Sequence, residues 1–509
     1  MFERAKLRRA LRAAAGILLI LFSALPPSAA LAWKPTTHMQ LAEIALQDAL
    51  DDGRVTIMRV DPRTGAILGP LGDFPVSPQI LAALKAAPDR YRAGVLGPDA
   101  YPDIMTGQQI IHPEVAKNES GRVIGSDAWL NHMWTRSYGG DASPEVRAFV
   151  SGFLTHAAGD SFAHTYVNHY SGGAFTLDPR QNAIRHIVME SYLDKRAPEV
   201  RHDLAVSIRG VDGFIHDEMI AARPGSVLER QLLLGDAEAT NLSAPLSFSR
   251  LRNRLQADVD AGAESWATLA YKRAWIEDID EGLRAWPAVS AEISAKIIYY
   301  PDQADFTGAA GILNRYARQH LWSMAGAPDF AVAVAYAPSQ IAQALLPQAL
   351  IDALGALLQK PLDYMVRGAT GLTTEEWRDY MARPDHYFDE VMSGTSAQPN
   401  GHAVTLADFN HQQLGIADDA YASPALRWTV DGFAPAFNTV QLTKLGFLDA
   451  DGLEAVERAL GGPRSRGGAN VMLGWLHSLD DSSQWRSGQA RFSHPAVFNQ
   501  LFRPQFGAP

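Results

Sequence analysis

Three side chains that can bind a metal ion recur at four-residue intervals in one apolar segment: His156, Asp160 and His164. If this segment is helical, all three point from the same face into one space. Imidazole nitrogen and carboxylate oxygen are the ligands that zinc takes where thiolate is missing, and this chain has no cysteine. The alternative is a buried hydrogen-bonded network, but ionisable groups on an apolar face are costly to bury without a cation. The spacing therefore favours a metal site.

A second pair with the same spacing, His186 and Glu190, follows on the next helical segment. Positions i and i+4 again share a helix face, so the imidazole and the carboxylate would point the same way. This pair extends the set of candidate zinc ligands.

The N-terminus has the pattern of a secretory signal peptide over residues 1–32. Basic side chains lie between Arg4 and Arg12, an apolar run extends from Ala13 to Leu25, and small residues precede position 33. The apolar run is too short for an ordinary membrane span. We therefore expect an exported protein, either secreted or periplasmic.

Cleavage after Ala32 would make Trp33 the first residue of the mature chain. A free α-amine and the carbonyl of the same residue can chelate a metal, and His38 follows five residues later. The alternative explanation is that a signal ends before an arbitrary residue. The processing site is thus a candidate source of one further ligand.

Composition limits the classes of function. The 509-residue chain is long enough for a large core, and its formal net charge is −11. Loss of the basic signal makes the mature chain more acidic, which disfavours sequence-independent binding to nucleic acid. The absence of cysteine excludes a disulfide scaffold and a thiolate zinc site.

The elements that must position the candidate ligands are mainly helical. Apolar periodicity and proline positions predict helices over 37–51, over 78–94, from Pro144, after Pro179, through much of 246–300 and 307–392, and near 452–460. Turn-rich residues 52–76 predict a hairpin around Asp61–Gly65. Residues 113–128 are expected to be irregular and 393–425 looser. The expected fold class is therefore all-α.

The ordered set of candidate ligands resembles that of the zinc-dependent phospholipase C family, which includes bacterial phospholipases C, clostridial alpha-toxin and the catalytic part of the glycosylphosphatidylinositol-specific phospholipase D. The residues that carry the resemblance are Trp33, His38, Asp99, His156, Asp160, His164, His186 and Glu190. The resemblance covers about residues 33–200. Single-strand-specific zinc nucleases share the same metal scaffold.

The resemblance implies three zinc ions. The first would be bound by Asp99, a later histidine, His156 and Asp160, and both His112 and His132 are candidates for that histidine. The second would be bound by the Trp33 amine and carbonyl and by His38, with Asp160 as the bridge. The third would be bound by His164, His186 and Glu190. Candidate substrate-binding residues closely follow His164, the last ligand of the predicted helix. They are Tyr166, Asn168 and His169.

We expect the chain to divide into a signal peptide (1–32), a phospholipase C/nuclease-like catalytic domain (33–245), a helical region (246–392) and a mixed C-terminal region without an assigned role (393–509). Residues 330–351 carry no charge and contain two prolines. They are expected to form a buried helical pair, and the alternative is a lipid-facing hairpin.

The function implied is that of an exported phospholipase C-type phosphodiester hydrolase, which cleaves phospholipid head groups with metal-activated water. Its partner would be a phospholipid or membrane surface, not nucleic acid, and the sequence gives no expectation of oligomeric state. One alternative is a single-strand-specific zinc nuclease or phosphodiesterase. The other is a non-catalytic, zinc-stabilised surface protein.

The first test concerns Asp99, which by resemblance orients or deprotonates the attacking water. We expect Asp99→Asn to keep the fold and to lose most hydrolytic activity, because an amide cannot accept the proton. Turnover is measured at full zinc occupancy, checked by elemental analysis. Unchanged turnover under that condition would contradict the role of Asp99.

Overall fold

A computed structural model describes residues 33, 35–97, 116–117, 123–124, 127–138, 142–172, 183–201, 204–215, 218, 256–263, several positions between 266 and 280, 374–393, 403–416, 426–461 and 499–504. Within these ranges the protein is mostly helical, with small two-stranded sheets. The expectation of a mainly helical fold is confirmed at this level.

The helices of the described residues are α1 (Pro35–Asp51), α2 (Pro78–Ala86), α3 (Pro88–Leu96), α4 (Asp127–Tyr138), α5 (Pro144–Ser171), α6 (Ala183–Arg196), α7 (Asp212–Ile215), α8 (Thr374–Ala382), α9 (Pro384–Met392), α10 (Leu406–Asp408), α11 (Ala434–Gly446) and α12 (Ala450–Ala459). A π-helix, Phe409–Leu414, follows α10 directly. Residues 256–261 are also helical. The strands are β1 (Arg54–Val60), β2 (Ile67–Pro75), β3 (Ala116–Lys117) and β4 (Val123–Ile124).

Helix α5 lies at the centre of the fold and contacts α1, α2, α3, α4, α6 and α11. The side chain of Ser143 caps its N-terminus by accepting a hydrogen bond from the Val146 amide at 3.3 Å. Pro144 occupies the first turn, where a missing N–H leaves no helical bond unmade. The helix ends at Gly172, which has a φ of +101°. These signals define a 28-residue helix that is buried along most of its length.

The predicted hairpin is confirmed. Strands β1 and β2 pair antiparallel from Arg54–Pro75 to Val60–Ile67. The Gly65 amide donates to the Asp61 carbonyl at 2.8 Å, and Gly65 has a φ of +68°, which glycine adopts without steric cost. The hairpin continues directly from α1 and packs against it.

Elements from the C-terminal part of the chain pack onto these N-terminal elements. Helix α11 contacts both α5 and α1, and α9 contacts α6. The Met58 amide of β1 donates to Gln441 Oε1 of α11 at 3.2 Å. Asn438 and Arg503 exchange two hydrogen bonds, at 2.9 and 3.0 Å. The buried residues form one cluster that extends from Trp33 to Phe502.

Three local predictions need correction. Residues 78–94 form two helices, because Pro88 lacks the N–H that a continuous helix requires and Ala87 leaves the helical region at φ −143°. Residues 113–128 were expected to be irregular, yet β3 and β4 pair there. The expected loose region 393–425 contains α10 and the π-helix, which Gly415 ends at a φ of +67°.

The uncharged stretch 330–351 and Asp99 lie outside the described residues. Among the residues that are described, no helix combines the length and the apolar composition needed to cross a membrane.

Helices α3 and α5 cross at unusually short range, and glycines make this possible. A Cβ on Gly94 would lie 1.9 Å from the Phe149 carbonyl oxygen, and one on Gly152 would lie 1.9 Å from the Tyr91 carbonyl oxygen. Both distances are far inside van der Waals contact, so neither backbone tolerates a side chain. The crossing brings the C-terminal end of α3 against the part of α5 that carries His156.

We expect Gly152→Ala to lower the free energy of unfolding by about 1–3 kcal/mol, because the added methyl group forces the two helices apart. Urea unfolding of the purified protein measures the change. Gly213→Ala in α7 is the matched control, since a Cβ there meets nothing within 4 Å. Equal stability of the two variants would show that the close crossing is not required.

Candidate metal centre

Two helices bring His38, His156 and Asp160 together. Asp160 faces the Nε2 atoms of both imidazoles: its Oδ1 is 3.1 Å from His38 Nε2, and its Oδ2 is 3.0 Å from His156 Nε2. One ligand atom from each residue lies within 4.8 Å of the others, so this group can hold a metal ion. The predicted His156-x3-Asp160 spacing does place both side chains on one face of α5.

The two imidazoles are held in a fixed orientation. Their rings stack with centroids 3.7 Å apart and an interplanar angle of 15°. His156 Nδ1 lies 2.7 Å from the Val95 carbonyl oxygen, which accepts its proton. That hydrogen bond leaves Nε2 as the nitrogen that faces Asp160, as is common for metal-binding histidines. Helix α3 therefore sets the tautomer of a ligand on α5.

Asp160 is fully buried. Burial alone raises the pKa of a carboxyl group, but the adjacent His156 and His38 outweigh this and hold the pKa of Asp160 well below its usual range. The carboxylate form is the form that binds a cation. Its two oxygens face different imidazoles, which is the arrangement that a bridging carboxylate needs.

Gly159 lets the N-terminal segment approach α5. A Cβ at this position would lie 2.9 Å from His38 Cε1 and Nδ1, and 3.2 Å from Trp33 Cδ1. Trp33 is fully buried here, with its ring 5.7 Å from that of Phe433 in an edge-on contact. Trp33 and His38 therefore both lie against the part of α5 that carries Asp160.

A second group, formed by His164, His186 and Glu190, lies between α5 and α6. His186 Nε2 is 2.8 Å from Glu190 Oε1, and the His164 and His186 rings have centroids 5.9 Å apart. All three side chains are at most 1% exposed. This arrangement agrees with the predicted sharing of a helix face by His186 and Glu190.

Of the two candidates for the histidine after Asp99, only His132 is among the described residues. His112 and Asp99 itself lie outside the described residues. His132 lies on α4, where its Nε2 is 2.6 Å from Glu218 Oε2, and Glu218 also accepts from Arg136 at 3.2 Å. The choice between the two histidines stays a prediction.

The candidate substrate contacts occupy different faces of α5. Tyr166 is buried among the rings of Tyr170, Phe409 and Phe433, at centroid distances of 5.2–6.1 Å. Burial raises the pKa of its hydroxyl well above the usual value, so Tyr166 is neutral. Asn168 and His169 are half-buried in the last turn. Asn168 lies one turn beyond His164 on the same face, whereas Tyr166 does not. Contact of these residues with substrate stays a prediction.

Sequence reasoning missed several groups that hold the site. The Val95 carbonyl carries no side-chain signal. Phe433 lies far from Trp33 in the chain. A signal did exist for Gly159: a glycine inside a helix costs about 1 kcal/mol relative to alanine, so its place beside Asp160 indicates a close contact.

Comparison of the chain with protein-family models, with curated proteins and with solved structures finds no match. The interpretation of the site therefore depends on the arrangement of its residues.

We expect Gly159→Ala to weaken zinc binding by roughly tenfold or more, because the new methyl group displaces His38 from Asp160. Competition with a chromophoric chelator measures the affinity. Gly213→Ala provides the control for an unrelated glycine substitution in a helix. Wild-type affinity in Gly159→Ala would mean that His38 is not a ligand.

Proposed function

We propose that the protein is an exported, zinc-dependent phosphodiester hydrolase of phospholipase C type. The observation that carries the proposal is the buried Asp160 carboxylate between His38 and His156, with Trp33 beside them. The order of these residues, together with the His164, His186 and Glu190 group, resembles the pattern of the zinc-dependent phospholipase C family.

The proposal assigns three zinc ions to these residues. Asp160 would bridge two of them. One of these would be completed by His156, Asp99 and either His112 or His132, and the other by His38 and the amine and carbonyl of Trp33. His164, His186 and Glu190 would bind the third. The neutral oxygen and nitrogen donors and the buried carboxylates fit zinc, because each carboxylate offsets part of the charge that the ions bring into the protein interior.

The zinc ions would supply charge neutralisation for the phosphate oxygens and would make water acidic enough to attack at neutral pH. The residues of the chain would hold the ions and orient the groups that take part in the reaction. Asp99 accepts the proton of the attacking water. The Val95 carbonyl keeps the His156 proton on Nδ1, and the stacked His38 ring is held against it. On α6, the Glu190 carboxylate would offset part of the charge of the third zinc ion, as Asp160 would for the other two.

One observation favours a second candidate, a zinc site that stabilises the fold without catalysis. Six of the candidate ligands are at most 2% exposed: His38, His156, Asp160, His164, His186 and Glu190. Structural zinc sites are closed, whereas catalytic sites keep one position open to water or substrate.

The test measures metal content and hydrolysis together. The mature chain is purified, its zinc is counted by elemental mass spectrometry, and it is incubated with phosphatidylcholine vesicles or single-stranded DNA, with and without chelator. We expect bound zinc and vesicle hydrolysis that chelator abolishes and zinc restores. Asp160→Asn should lose both, because the bridging charge is removed.

Asp48→Asn is the matched control, since Asp48 pairs with Lys444 at 2.8 Å in another part of the fold. It should keep zinc and activity. Hydrolysis of DNA alone would favour the nuclease alternative, and bound zinc without hydrolysis of either substrate would favour the structural site. A mature chain without zinc would contradict all three.

A further inference from the structure

Helix α6 has the same four-residue spacing of potential metal ligands as α5, but its third residue, Asp194, has a different role. His186, Glu190 and Asp194 follow one another at four-residue intervals, as His156, Asp160 and His164 do on α5. The three α6 side chains therefore share a helix face. Asp194 is half-buried, whereas the other two are fully buried.

Asp194 contacts the first turn of α1. Its Oδ1 accepts a hydrogen bond from the Thr37 backbone N–H at 3.1 Å and a second from Thr37 Oγ1 at 3.2 Å. The two residues are 157 positions apart in the chain. Thr37 is fully buried and immediately precedes His38.

The chemistry of the contact suits a helix start. The first N–H groups of a helix have no partner within it, and a carboxylate near them is favoured by the helix dipole. Helix α1 begins at Pro35 and has no acidic residue in its first turn. Asp194 therefore acts as a cap that a different helix provides.

We propose that Asp194 is a positioning residue for the metal centre, and this inference rests on the proposed zinc function. Asp194 fixes Thr37, and Thr37 fixes the backbone from which His38 reaches Asp160. Through this link the helix that carries His186 and Glu190 also sets the place of a ligand in the other group. Asp194 itself binds no metal in this arrangement.

The experiment uses the full mature chain and four variants: Asp194→Ala, Asp194→Asn, Thr37→Val and Thr37→Ser. The readouts are zinc affinity, zinc stoichiometry and the visible spectrum of the cobalt-substituted protein, which reports coordination geometry. Asp194→Ala removes both hydrogen bonds and should weaken the more labile zinc roughly 10- to 100-fold. Asp194→Asn keeps an acceptor oxygen and should restore part of the affinity.

The Thr37 variants test the same link from its other end. Thr37→Val removes the hydroxyl and keeps the N–H, so we expect a smaller loss than in Asp194→Ala. Thr37→Ser keeps the hydroxyl and should bind zinc like the wild type. Comparison of this order with the stability of each metal-free variant separates a positioning effect from a general loss of stability.

Glu43→Gln is the control for general destabilisation. Glu43 lies on α1 as well and pairs with Arg92 of α3 at 2.6 and 3.2 Å, but it adjoins no candidate ligand. Unfolding of each metal-free protein by urea places all variants on one stability scale. We expect Glu43→Gln to lose stability and to keep its zinc affinity and cobalt spectrum.

The outcomes separate this inference from the proposed function. Wild-type protein that binds no zinc contradicts the proposed function, and the positioning role falls with it. Wild-type protein that binds zinc, with equal affinity in Asp194→Ala or an equal loss in Glu43→Gln, overturns the positioning role alone.

Discussion

The close approach of Asp160 to two imidazoles in the protein interior is the constraint on which the site depends. A buried carboxylate without compensation would cost several kcal/mol. Here His38 and His156 lower its pKa, and a cation between these groups would satisfy all of them at once. Together, the surrounding elements have to keep three side chains, one from α1 and two from α5, within a few ångströms of one another.

The scaffold meets this requirement by removing side chains where backbones must meet. Gly152 allows α3 to lie against α5, which delivers the Val95 carbonyl to His156. Gly159 allows the segment from Trp33 to His38 to lie against α5 about two turns further on. Phe433, from the C-terminal part of the chain, packs edge-on against Trp33.

The sequence predicted the parts of this arrangement that are local. The four-residue spacing on α5 and α6, the helix start at Pro144 and the hairpin at Asp61–Gly65 follow from periodicity and turn chemistry, and the structure has them. The helix break at Ala87 also had a local signal, Pro88, that the periodicity of residues 78–94 masked. The link between Asp194 and Thr37 could not be predicted, because side-chain spacing does not specify which distant backbone a carboxylate meets.

The burial of Trp33 places an order on maturation and folding, if the chain is cleaved before this residue as proposed. A signal peptidase needs an accessible, extended segment around the bond that it cuts. In the folded protein the Trp33 side chain is fully buried against Phe433 and beside Gly159. A chain cleaved before Trp33 would therefore have to be cut before this side chain packs against Phe433, the residue that immediately precedes α11. Its new amino terminus would then lie beside the candidate ligands once the fold is complete.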